Sequence, residues 1–142
     1  MLRRFVAGLF LALAVALPLA AQNPPPTSGG LSTTSFIAAA SDNAGVAKAT
    51  FGQVYGLSLS SISSSPAWLK LYDKAAAPTC GTDTPKARFV IPSLTTGVVS
   101  NIYLGWGETF STGIAYCVVS GAADNSTVIP AASVFTINLF WK

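Results

Sequence analysis

Among its 142 residues the chain has no histidine. That absence removes the side chain that most often acts as a general base at neutral pH and most often ligates a metal. A serine nucleophile would have to take lysine as its base. Ser65 and Lys70 are candidates for such a pair, and they face one another across a turn by chance as easily as by purpose. Charge is scarce too. Asp, Glu, Lys and Arg make up 9% of the chain, against about 25% in an average soluble domain. With 51% hydrophobic residues the chain is too apolar for intrinsic disorder over most of its length. No basic patch interrupts it, so the electrostatic footprint of a nucleic-acid binder is missing. Two cysteines without any imidazole do not make an ordinary zinc site. No long stretch sustains apolar residues at three-four spacing, which leaves little room for helix.

The N-terminus carries what the composition leaves open. Arg3 and Arg4 form a short basic start, Phe5 to Leu17 is an uncharged apolar run, and Pro18 with Leu19-Ala20-Ala21 supplies a small-residue cleavage site. This is the layout of a secretory signal peptide, with cleavage expected after Ala21. The apolar core is shorter than the roughly 20 residues of a spanning helix, so the expectation is an exported protein (secreted, periplasmic or surface-associated) with no membrane segment after cleavage. The paired arginines also fit a twin-arginine route, but the strongly apolar core favours the ordinary one. Loss of Arg3 and Arg4 reduces the eight basic residues to six against five acids, a net charge of 6 − 5 = +1. In an oxidising compartment Cys80 and Cys117 are expected to pair.

Residues 22–30 read as a linker, with three prolines favouring extended chain and a flexible Ser-Gly-Gly end. The folded domain is expected over 31–142. Its pattern predicts strands at Ser35–Ser41, Gly45–Thr50, Gln53–Ser60, Ala67–Asp73, Ala87–Ile91, Val98–Leu104, Ile114–Ser120 and Ser133–Trp141. In the third, Tyr55, Leu57 and Leu59 share one face. Gly105-Trp106-Gly107 reads as a break, a turn or bulge. Seven to eight short antiparallel strands with frequent Gly, Pro and Ser turns predict an all-β fold, a two-sheet sandwich of jelly-roll type. No repeat period points to a propeller or solenoid.

The five acids offer little chemistry. Asp42, Asp83 and Asp124 sit among turn-forming neighbours. Asp73 and Asp83 could recruit calcium with loop carbonyls, and Glu108 with one Asp could form a glycosidase pair, yet no acidic cluster supports either. The expectation is no catalytic residue, no metal and no cofactor. The aromatics are more informative. Trp68 and Tyr72 lie opposite Leu69 and Leu71 on their strand, so they form either a surface for a ligand or subunit or a covered second face. Trp106 between two glycines is either a loop-tip aromatic or an end plug. Asn125-Ser126-Thr127 matches a glycosylation acceptor.

The stretch WLKLYDKAAAPTCGTDTP (Trp68 to Pro85), followed by Phe89-Val90-Ile91-Pro92, FSTGIAYCVVSGAADNST (Phe110 to Thr127) and the closing strand Val134 to Trp141, resembles a small β-domain of uncharacterised tailed-phage and prophage virion proteins. The resemblance implies an all-β module of a particle surface or appendage and assigns no functional residue. The export signal departs from that pattern, because tailed-phage virion proteins assemble in the cytoplasm.

Three functions follow as expectations. The first is a non-enzymatic structural or assembly protein of a cell surface, appendage or virion-like particle, self-associating through the N-terminal strand Leu31–Ser41 donated to a neighbour. The second is a secreted carbohydrate-binding or adhesive module using Trp68, Tyr72 and Trp106 on a glycan or surface partner. The third is a hydrolase built around Glu108.

Overall fold

A computed structural model describes residues 30–93 and 99–142. The expected signal peptide, the linker up to residue 29 and Val98 lie outside the described residues. Eight strands follow in chain order: β1 (Ser32–Ile37), β2 (Gly45–Lys48), β3 (Gly52–Ser61), β4 (Ala67–Asp73), β5 (Ala87–Ile91), β6 (Val99–Phe110), β7 (Ile114–Val119) and β8 (Phe135–Trp141). They form two four-stranded sheets, ordered β1-β8-β3-β6 and β2-β7-β4-β5. Every pairing is antiparallel. First pairs with last, second with seventh, third with sixth and fourth with fifth, so the chain is one nested antiparallel ribbon folded across two sheets. That is the jelly-roll arrangement of a β-sandwich.

Alternation along the strands builds the core. Leu57 and Leu59 of β3, Leu69 and Leu71 of β4, Ile114 and Val118 of β7, and Ile137 and Leu139 of β8 meet between the sheets with almost no exposure. Each buried aliphatic side chain contributes about 1.5–3 kcal/mol over leaving it in water. Phe36 of β1 reaches the same core and stacks on Tyr116, ring centroids 4.4 Å apart.

Beyond shifts of a residue or two at the strand ends, such as β2 stopping at Lys48 rather than Thr50, the structure departs from the alternation pattern in β1, β6 and β3. β1 begins at Ser32 and ends at Ile37, because the register with β8 (Ser32 opposite Trp141, Ile37 opposite Thr136) governs it rather than the apolar run after Phe36. β6 runs through the expected break to Phe110. Its residues 104–107 bulge out against the single residue Tyr55 of β3, between the pairs Gly56–Tyr103 and Val54–Glu108. Gly107 takes φ +79° there, a conformation that favours glycine. Tyr55 is itself extra relative to β8, where Val54 opposes Trp141 and Gly56 opposes Phe140. A one-residue bulge reverses the side-chain alternation, so Tyr55 faces outward with Gly56 while Leu57 and Leu59 face the core.

The chain passes between sheets at a tight corner, residues 111–113 joining β6 to β7. Asp73 at the end of β4 holds this corner. Its carboxylate accepts hydrogen bonds from Ser111 N (2.9 Å), Ser111 Oγ (2.7 Å), Thr112 N (2.6 Å) and Gly113 N (3.3 Å).

The two outer faces differ. On the β2-β7-β4-β5 sheet, the segments 74–86 and 120–128 lie over the strands. Cys80 is bonded to Cys117 of β7, and the Lys70 ammonium donates to Ala123 O (2.5 Å) and Asp124 O (3.3 Å). The segments also meet each other, since a Cβ on Gly81 would lie 2.5 Å from Thr127 Cγ2. Beneath them Tyr72, Ala115, Cys117 and Val119 form a second buried cluster. The outer face of the β1-β8-β3-β6 sheet has no such cover among the described residues.

Candidate functional site

The five carboxylates are each engaged in a contact of their own. Asp42 accepts from Ala44 N at 3.3 Å, Asp83 from Lys74 and from Thr79 N at 2.7 Å, and Asp124 pairs with Arg88. Glu108 lies 3.6 Å from Lys86, and Asp73 holds the corner. Asp73 and Asp83, the candidates for a calcium site, serve different turns, and no group of three or more metal-binding side chains occurs among the described residues. Ser65 and Lys70 are not brought together. Ser65 stands in an exposed serine turn, and Lys70 is fully buried with its ammonium on loop carbonyls. Burial, with Arg88 adding to it, pulls the Lys70 pKa below the ordinary lysine value despite the opposing charge of Asp124.

Asp73 has a pH signature. Burial alone would push its carboxyl up, but the bonds from Ser111, Thr112 and Gly113 outweigh it and hold the group well below the usual carboxylate range. A depressed native pKa contributes stability that is fully present above the unfolded value, about 3.9, and is lost as pH falls through the native value. Asp73→Asn should therefore cost about 2 kcal/mol at neutral pH. The gap to wild type should narrow below about pH 4. Urea melts of both proteins across that range check it; a gap independent of pH would contradict it.

The aromatics singled out in the sequence are placed apart. Tyr72 is fully buried under the 74–86 loop, its hydroxyl without a partner. It presents no surface to a ligand, because the disulfide fastens that loop over it. Burial also raises the Tyr72 pKa. Trp68 is half-buried against the same cluster. Trp106 stands at the crest of the β6 bulge, 97% exposed.

A different set of rings converges on the uncovered sheet. In-register pairing aligns Thr33, Phe140, Gly56 and Tyr103 across β1, β8, β3 and β6. Gly56 sets no side chain between the two rings, and a cleft of about 320 Å³ opens there, its walls including Leu31, Tyr55, Tyr103 and Phe140. Tyr55 is held in place: its hydroxyl donates to Gln53 Oε1, and Gln53 Nε2 donates to Thr109 Oγ1 at 3.0 Å. The bulge backs it, since a Cβ on Gly107 would lie 3.1 Å from Tyr55 Cε1. The next row along the sheet is polar throughout: Ser35, Asn138, Ser58 and Asn101. Ser58 and Asn101 extend the cleft. None of the cleft residues is charged. The signal for this site in the sequence is faint. Tyr55, Tyr103 and Phe140 belong to three strands, and only the register unites them.

Searches of family models, curated proteins and solved structures yield no match to this chain.

Proposed function

We propose that the chain is an exported, non-catalytic structural or assembly protein of a cell surface, an appendage or a virion-like particle, whose copies associate through β1. The observation that carries this reading is the placement of β1. It is an edge strand with one neighbour, β8. It leaves Ile37 at 62% exposure, with Leu31 just before it at 49%, and is joined to β2 only by the connection 38–44. It inserts Phe36 against Tyr116 and bonds Thr34 Oγ1 to Trp141 Nε1 at 2.8 Å. The same contacts form if β1 comes from a second copy, which is the condition for strand exchange. Export is supported by the basic-then-apolar start and by the disulfide, which suits an oxidising compartment. The engagement of all five carboxylates in structural contacts supports a role without catalysis.

A covalent trap tests the strand. Ser35 and Asn138 face each other across the β1–β8 pair, so Ser35→Cys with Asn138→Cys links whichever β1 occupies β8. Covalent dimers or longer ladders on a non-reducing gel, with matching masses by light scattering for the wild type, are expected. Intrachain links alone, with a monomer at high concentration, would overturn the reading.

A further inference from the structure

We propose that the cleft between Tyr103 and Phe140, floored by Gly56, binds a neutral carbohydrate. The site borrows Leu31 from the segment that leads into β1, but its other walls lie on β3, β6 and β8 and stand whichever copy supplies β1. The two rings stand on either side of a position without a side chain, the buried Gly56, so the room above it is left to a ligand lying between them. A Cβ at Gly56 would take that room, meeting Ile102 O at 3.0 Å, Phe140 Cδ2 at 3.8 Å and Tyr103 Cδ1 at 3.9 Å.

The chemistry of the lining selects the ligand class. Aromatic faces carry partial negative charge. The C–H bonds on one face of a pyranose carry the complementary partial positive charge and settle on such rings. The edge of the same sugar presents hydroxyls, each both donor and acceptor. Asn101 offers an acceptor oxygen and two donor hydrogens, and Ser58 offers a hydroxyl. Both adjoin the rings on one side of the cleft, so apolar and polar contacts fall on different parts of one ligand. An anionic ligand finds no cation among the cleft residues, and a cationic one finds no carboxylate. A purely apolar ligand would leave the Asn101 and Ser58 groups without partners, which costs binding energy. The volume of about 320 Å³ lies at the lower end of small-molecule sites, in keeping with one or two sugar rings and the rest of a chain in solvent. The Tyr55–Gln53–Thr109 bonds fix one wall before any ligand arrives, which lowers the ordering cost of binding.

The test uses the exported, disulfide-bonded protein on a printed array of neutral and acidic oligosaccharides, followed by titration of the strongest neutral binder. Saturable binding to a neutral oligosaccharide is expected. Tyr103→Ala and Asn101→Ala should each weaken it at least tenfold. Both residues are exposed, so melting temperatures should stay near wild type. Trp106→Ala, altering an exposed ring outside the cleft, should change affinity less than twofold. The proposal fails if no neutral glycan saturates, if only acidic glycans bind, or if Tyr103→Ala binds like wild type. Failure here leaves the Ser35–Asn138 trap unaffected, so the two readings are judged separately.

Discussion

Serine at both Cys80 and Cys117 should lower the unfolding free energy by about 3–4 kcal/mol. The bond spans 37 positions, and the chain-entropy relation gives a value in that range for such a loop. The consequence is local as well as global. The bond fastens the 74–86 segment onto β7 above Tyr72. Without it the cover is left to weaker contacts at its two ends, Lys74 N on Gly113 O at 3.0 Å and Lys86 N on Leu71 O at 2.7 Å, while the Lys74–Asp83 pair, partly solvent-exposed, only braces the segment within itself. Urea titration of the two proteins, read by far-UV dichroism and by the near-UV tyrosine signal, measures both effects. A loss below about 1 kcal/mol would mean that the cover holds without the bond.

The second large effect is expected at the corner between the sheets. A Cβ on Gly113 would lie 2.6 Å from Lys74 O, 2.8 Å from Lys48 O and 2.9 Å from Ala75 Cα. All three are backbone atoms, from segments that cannot swing aside like a side chain. Relief requires the β2–β3 turn or the start of the 74–86 loop to shift, and the Asp73 bonds to Ser111, Thr112 and Gly113 shift with them. Gly113→Ala should cost about 3 kcal/mol, in the range of overpacking with a broken polar network. Gly105→Ala is the matched control, because a Cβ there meets nothing within 4 Å. It should change stability by no more than about 0.5 kcal/mol. Equal melting temperatures for the two variants would contradict the close-approach argument.

How far the sequence carried the fold depends on what each segment obeys. β4 and β5 have the bounds that their sequence pattern predicts, and β8 buries Phe135, Ile137 and Leu139 as its pattern requires. These strands are read locally because one clear apolar face decides them. Ser133 falls outside β8 because it turns the chain at φ 59°. Tyr55 is the instructive miss. Grouped with Leu57 and Leu59 by period, it faces the other way, since the bulge adds a residue whose only cause is the pairing with β8 and β6. Tyr72 shows the converse. Its position opposite the core is correct, but its burial comes from a loop whose path the strand pattern does not contain. The cleft was not legible for the same reason, being made by register between distant strands.

The nested order of pairing also sets a schedule. Thr34 and Trp141, bonded across the first and last strands, are 107 positions apart in the chain. During synthesis β4 and β5 can meet early, whereas β1 has no native partner until β8 has emerged. Folds dominated by such distant contacts form slowly, and their unpaired strands stay open to other chains meanwhile. A nascent β1 therefore waits longest of all the strands, and a finished neighbour whose own edge has frayed is available to it before its own β8 exists. Exchange between copies would then be decided at birth, by the order in which strands arrive, rather than by later opening of a completed fold.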